Sequence, residues 1–193
     1  MKSVCVFCGS NTGTREVYAS AARALARAIS RADLRLIYGG GSIGLMGVLA
    51  EAALAEGVRV IGVAPRRLLE REVVHAHLTE LHVVESMHER KAKMAELADA
   101  FVALPGGYGT LDELFEALTW TQLGYHRKPC GLLNVAGFFD RLAEYLDQAL
   151  AEGFLTRQHR DMLVVADDPD LIVERLRSAP LPQVSKWIGR GET

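Results

Sequence analysis

The chain has 193 residues, with 22 lysines and arginines against 24 aspartates and glutamates, a formal charge of −2. That balance argues against a protein built to coat nucleic acid or an anionic membrane. Its 49% apolar and 24% charged content is globular, and a chain this long buries roughly 70% of its unfolded surface without disulfide or metal.

An apolar run at 3–7 reads as a first strand. It is too short for a secretion signal and is followed at once by Gly9, Ser10 and Asn11. An amphipathic stretch at 15–31 predicts a helix, and a strand at 34–38 follows it. That strand runs into Gly39, Gly40, Gly41, Ser42, Ile43 and Gly44. A helix at 45–56 closes on Gly57, a residue suited to the position just past a helix, and a strand follows at 58–64. A strand at 81–84, a helix at 87–98 and a strand at 100–104 come next. The second half repeats the alternation, with helices at 110–123, 138–152 and 169–178 and strands at 130–134 and 162–165. Continuous apolar strands separated by helices imply a parallel sheet covered on both faces. The expected fold is α/β: one doubly wound, Rossmann-like domain over 1–179 with six or seven mostly parallel strands. From Pro180 the pattern fails, and 180–193 reads as a tail. No window approaches the ~20 apolar residues of a membrane span. Three cysteines, an odd number, suggest a reducing compartment, and the expected location is the cytoplasm. Cys5 and Cys8 form a C-x-x-C, but no second Cys/His cluster completes a zinc site, so no metal is expected.

Ligands of open α/β sheets bind beyond the carboxyl ends of the strands, so the loops after strands carry the search. Three are rich in glycine or small polar residues: the one holding Ser10, the one holding Gly41, and Pro105-Gly106-Gly107-Tyr108-Gly109-Thr110. Each lets backbone approach a ligand and offers free N–H groups at a helix start, which suits phosphate. Gly39, Gly41 and Gly44 match G-x-G-x-x-G, but after the second strand, and no acid stands near Ala64-Pro65-Arg66-Arg67 to hold ribose hydroxyls. Two readings remain there: glycines that allow close packing, or an NADP site whose 2′-phosphate meets the arginines. The third loop opens a helix that carries Asp112 and Glu113. Thr110 and Glu113 have capping-box spacing, yet Glu113 lies off the stripe of Leu111, Leu114, Phe115 and Leu118, so it is either a cap or a site carboxylate. Ser86 and Glu89 form a second capping box. Behind it the buried stripe should run through Met87, Met94 and Ala98, with Arg90 and Lys91 flanking it. Two cations on an inward face need an anionic partner unless they snorkel at the rim.

Taken together, these motifs resemble the LOG family, the cytokinin-activating phosphoribohydrolases, many of whose bacterial members carry the label lysine decarboxylase. The matching segments are Val6-Phe7-Cys8-Gly9-Ser10, the run from Tyr38 to Gly47, Met87-His88-Glu89-Arg90-Lys91, and the run from Pro105 to Glu113. The last is the family's P-G-G-x-G-T-x-x-E signature, with Asp112 where glutamate is more usual. The resemblance implies hydrolysis of the N-glycosidic bond of a purine nucleoside 5′-monophosphate, with no cofactor and a homodimer or larger homo-oligomer. Arg90 and Glu113 would be catalytic, and Glu72, Lys91, Gly107, Tyr108, Gly109, Thr110 and Thr119 substrate-binding. Ser10, Gly41, Met87 and Gly106 join the binding set as members of the matching motifs. The competing class is a carrier that binds a nucleotide-like ligand without chemistry, as the related molybdenum-cofactor carriers do. Trp120 stands as either an interface anchor or a core residue.

Overall fold

The computed structural model describes residues 1–69 and 74–180. Seven strands form one sheet in the order β4-β3-β2-β1-β5-β6-β7, and every pairing between them is parallel. They are β1 Ser3–Phe7, β2 Arg35–Tyr38, β3 Val60–Pro65, β4 Glu80–Val84, β5 Phe101–Ala103, β6 Cys130–Leu133 and β7 Leu163–Ala166. The helices are α1 Glu16–Arg31, α2 Gly44–Ala55, α3 Arg66–Leu69, α4 Met87–Leu97, α5 Tyr108–Gln122, α6 Asp140–Ala151, α7 Arg157–Arg160 and α8 Pro169–Ser178.

Alternation along β1 divides the core. Val4, Val6 and Cys8 face α1, α2 and α8, while Cys5 and Phe7 face α4, α5 and α6. The chain winds outwards from β1 to β4, then returns to lay β5 against the other side of β1. The strand order therefore reverses between β1 and β5, and a crevice opens there at the carboxyl ends of the strands. Backbone bonds fix its walls: the Leu104 amide donates to Phe7 O at 2.9 Å, Gly9 to Pro105 O at 3.1 Å, and Leu45 to Gly9 O at 3.0 Å.

Local geometry departs from the periodic pattern at identifiable places. α5 begins at Tyr108, two residues before Thr110, because Gly107 already serves as its first flanking residue. α6 begins later than the apolar pattern implies, since Ala136 (φ 51°) and Gly137 (φ 74°) turn the chain left-handed ahead of it. α3 and α7, four residues each, are too short to show a helical period. β4 is an edge strand, and Leu81 and Val83 stay substantially exposed on its open face. None of the described helices is long and apolar enough to cross a membrane. Of the expected tail, everything from 181 lies outside the described residues.

Candidate active site

Arg90 leaves the first turn of α4. Ser86 fixes that turn: its hydroxyl accepts from the Glu89 amide at 3.1 Å, and a Glu89 carboxylate oxygen accepts from the Glu85 amide at 2.9 Å. The box forms as expected on the Ser86 side, with its return bond one residue early. Met94 and Ala98 lie in the core, but Met87 is 48% exposed. Its angle about the axis is right, but at the helix's first position it stays half open to solvent. Arg90, only 7% exposed, faces inwards with Met94 and Ala95.

Among the described residues the Arg90 guanidinium has two protein acceptors: Nε donates to Val63 O at 3.1 Å and Nη1 to Glu113 Oε1 at 2.9 Å. Glu113 stands on the second turn of α5, its side chain 10% exposed. It is therefore no cap, because Thr110 is the third residue of α5 and is buried against Gly106. A Cβ on Gly106 would meet Thr110 Oγ1 at 2.1 Å, so only glycine permits this approach. Burial pushes the Glu113 carboxyl above the usual carboxylate range; Arg90 and Lys91 pull it back and Asp112 adds to the rise. Burial, reinforced by the Glu113 charge, also raises the Cys8 thiol, which is no nucleophile at neutral pH.

A cavity of about 430 Å³ opens over this pair, between the loops that follow β1 and β5. It brings together Ser10, Arg90, Gly106, Gly107, Tyr108, Gly109, Thr110 and Glu113 from the expected set. The first-turn amides of α5 have no intrahelical acceptor, and no side chain caps Gly107, so this end presents donors and positive potential to an anion.

Four expected binding residues do not line the cavity: Gly41, Met87, Lys91 and Thr119. Gly41 is bridged to Val74 and sits against the Met46 side chain. The Lys91 ammonium is held by Asp112 and Glu116, each at 3.1 Å, and those bonds outweigh burial to raise its pKa. Thr119 is turned to the opposite flank of α5, beside Phe115, Leu146 and Leu155. Glu72 lies outside the described residues. The glycine loop after β2 is no dinucleotide cradle either. Gly39 abuts Arg90, and Gly44 (φ +62°) packs on the Ser10–Asn11 backbone, where a Cβ would come within 2.2 Å. Arg66 pairs with Glu85 at 2.9 Å instead of waiting for a 2′-phosphate.

Sequence reasoning missed Tyr18 and Phe138, which line the cavity from α1 and from the turn after β6. Their rings meet edge to face at 5.7 Å, and the Arg15 guanidinium lies 5.7 Å from the Tyr18 ring. The signal for Phe138 was the Asn134–Asp140 spacing: Asn134 donates to Asp140 at 2.7 Å and accepts from the Phe139 amide at 2.7 Å, clamping the turn. Among the described residues no group of three His, Cys, Asp or Glu side chains could hold a metal ion.

A family model described as "Possible lysine decarboxylase" matches residues 46–176. The chain is 50% identical over 178 residues to a cytokinin riboside 5′-monophosphate phosphoribohydrolase of Rhodococcoides fascians, covering 92% of this chain and 90% of that one. It is 47% identical over 177 residues to one from Arabidopsis thaliana, covering 92% and 78%. Among solved structures it resembles the molybdenum cofactor carrier protein of Chlamydomonas reinhardtii, with TM-score 0.69 and 23% identity over 92% of this chain and 99% of that one. At that identity the likeness speaks to the fold.

Proposed function

Because the chain belongs to the family of cytokinin riboside 5′-monophosphate phosphoribohydrolases, we propose that it hydrolyses the N-glycosidic bond of a purine nucleoside 5′-monophosphate. The products are free base and ribose 5-phosphate. The observation that carries this reading is the buried Arg90–Glu113 pair at 2.9 Å, set in a cavity wall beside the uncapped start of α5.

The 5′-phosphate is received by the amides of Gly107, Tyr108, Gly109 and Thr110, with Ser10 on the facing loop. That anchorage brings C1′ towards Glu113. Breaking the bond from C1′ to the base sends its electron pair to the base and leaves an oxocarbenium-like sugar, whose charge the Glu113 carboxylate stabilises. The departing base takes its proton from solvent, water adds at C1′ and gives a proton to Glu113, and Glu113 returns that proton to solvent, so the proton count closes. Arg90 keeps Glu113 ionised despite its burial and fixes its orientation. No lysine lines the cavity among the described residues, so the decarboxylase label lacks a Schiff-base nucleophile there. The test is to incubate the protein with AMP and with N6-isopentenyl-AMP and to separate the products. Release of base and ribose 5-phosphate in equal amounts supports the reading; tight binding without release makes the protein a carrier.

We infer that the protein assembles as a homodimer or larger homo-oligomer. Trp120 packs partly on the core beneath α5, while Tyr125 (78% exposed) and Leu123 (42%) extend the same end into solvent. A sedimentation mass of one chain at micromolar concentration would contradict this. Three free, buried cysteines suit a reducing compartment, and we place the protein in the cytoplasm.

A further inference from the structure

Arg90 must stand in one place for Glu113 to remain ionised and aimed, and a feature of β2's far end decides that place. We propose that Gly39 is a positioning residue for the reaction: its missing side chain forms the slot that holds the Arg90 guanidinium in register with Glu113. This rests on the hydrolase reading above.

A Cβ built on Gly39 would lie 1.8 Å from Arg90 Nη2 and 2.9 Å from Cζ. Its neighbours Gly40 (φ +76°) and Gly44 (φ +62°) adopt left-handed backbone, but Gly39 does not. Any residue can therefore take the backbone conformation of position 39. The arginine requires glycine there; the chain does not. The other edges of the guanidinium are held by Val63 O at 3.1 Å and Glu113 Oε1 at 2.9 Å. The group is planar and rigid, so a methyl at 39 must push it away by roughly 1.5 Å to reach ordinary contact distance. A shift of that size breaks one or both bonds. Gly39 thus acts through Arg90, and the glycine run after β2 is explained without a dinucleotide.

The groups that face Glu113 are Arg90 and Lys91 from α4, Asp112 from its own helix, the Cys5 thiol from β1 and the Cys8 thiol just past that strand. Once Arg90 is displaced, burial and Asp112 push the carboxyl up with less opposition. The experiment compares wild type, G39A, R90K and the double variant. G39A is expected to lower kcat for AMP about a hundredfold, the scale of an ångström misplacement, with a smaller change in KM and the acid limb of kcat moved to higher pH. Lysine has no second terminal nitrogen to meet the methyl, so G39A should cost less than about threefold in the R90K background. In parallel, the Glu113 carboxyl carbon is titrated by NMR in folded wild type and G39A, and its midpoint should rise in the variant. That titration needs no turnover. If wild type releases no base from AMP while the midpoint still rises, the hydrolase reading fails and the positioning role stands. Equal losses from G39A in both backgrounds, or an unmoved Glu113 titration, would overturn the proposal.

Discussion

Replacing Arg90 by methionine keeps the stem's volume and deletes its charge. The wild-type side chains of Arg90 and Glu113 are 9% and 10% exposed, so the variant leaves a carboxylate in the interior with no cation bonded to it. Removing one partner of a buried pair costs about 3–5 kcal/mol. Within that figure fall a charge-assisted bond to Glu113, worth about 1.5–3 kcal/mol, and the orphaned Val63 carbonyl, about 1–3 kcal/mol. The sign with pH follows from Glu113's raised carboxyl. A group whose pKa is higher folded than unfolded takes up a proton on folding, so stability falls as pH rises through the window between the two values. Arg90→Met raises the folded value further and extends that window upwards. Urea denaturation should therefore show a loss of about 3–5 kcal/mol near pH 7.5 and a progressively smaller one as the pH is lowered and Glu113 takes up its proton. Adding Glu113→Gln should recover part of the loss at the higher pH. A loss below about 1 kcal/mol, or one that does not change with pH, would refute this view of the pair as buried and coupled.

The α5 amides should make the 5′-phosphate the main source of binding energy, because several charge-assisted bonds of about 1.5–3 kcal/mol each exceed what a purine and ribose add. kcat/KM for adenosine should then fall orders of magnitude below that for AMP, and ATP should also be a poor substrate; equal values for adenosine and AMP would remove the phosphate from this end of the cavity. His126, its ring tilted against Phe101 with centroids 5.4 Å apart, has its pKa lowered to about 4, chiefly by burial and further by Lys128. Its contribution to stability is present above the unfolded histidine value of about 6.5 and is lost as pH falls towards the folded one. The melting-temperature drop between pH 7 and pH 5 should shrink in His126→Gln, and an unchanged drop would exonerate His126.

The sheet was legible because its inner strands are buried on both faces and read as apolar runs, as at Ser3–Phe7 and Val60–Pro65, whereas the edge strand β4 alternates and carries Glu80 and His82. The site was legible where chemistry overrides packing. Arg90 stands on an inward helix face and Glu113 off an apolar stripe, and both anomalies pointed to the pair that the structure joins at 2.9 Å. Distances around the pair were not legible. Lys91 follows Arg90 directly in sequence, yet one step of the helix turns it from the cavity to Asp112 and Glu116. Thr110 and Glu113 have cap spacing in sequence, but whether a helix starts at Thr110 or two residues earlier depends on the packing of Thr110 against Gly106. The Tyr18–Phe138 contact spans α1 and the turn after β6, and no local pattern encodes such a meeting.

In the proposed reaction the Glu113 carboxylate drives cleavage at C1′. The direct measurement is single-turnover release of base from AMP by Glu113→Gln beside AMP binding by the same preparation. The amide keeps the shape and an acceptor for Arg90, and loses the charge. AMP affinity should stay within a few-fold of wild type while base release slows by about three orders of magnitude, some 4 kcal/mol of barrier. Base release near the wild-type rate would show that Glu113 only packs against Arg90, and the catalytic assignment would fall with it.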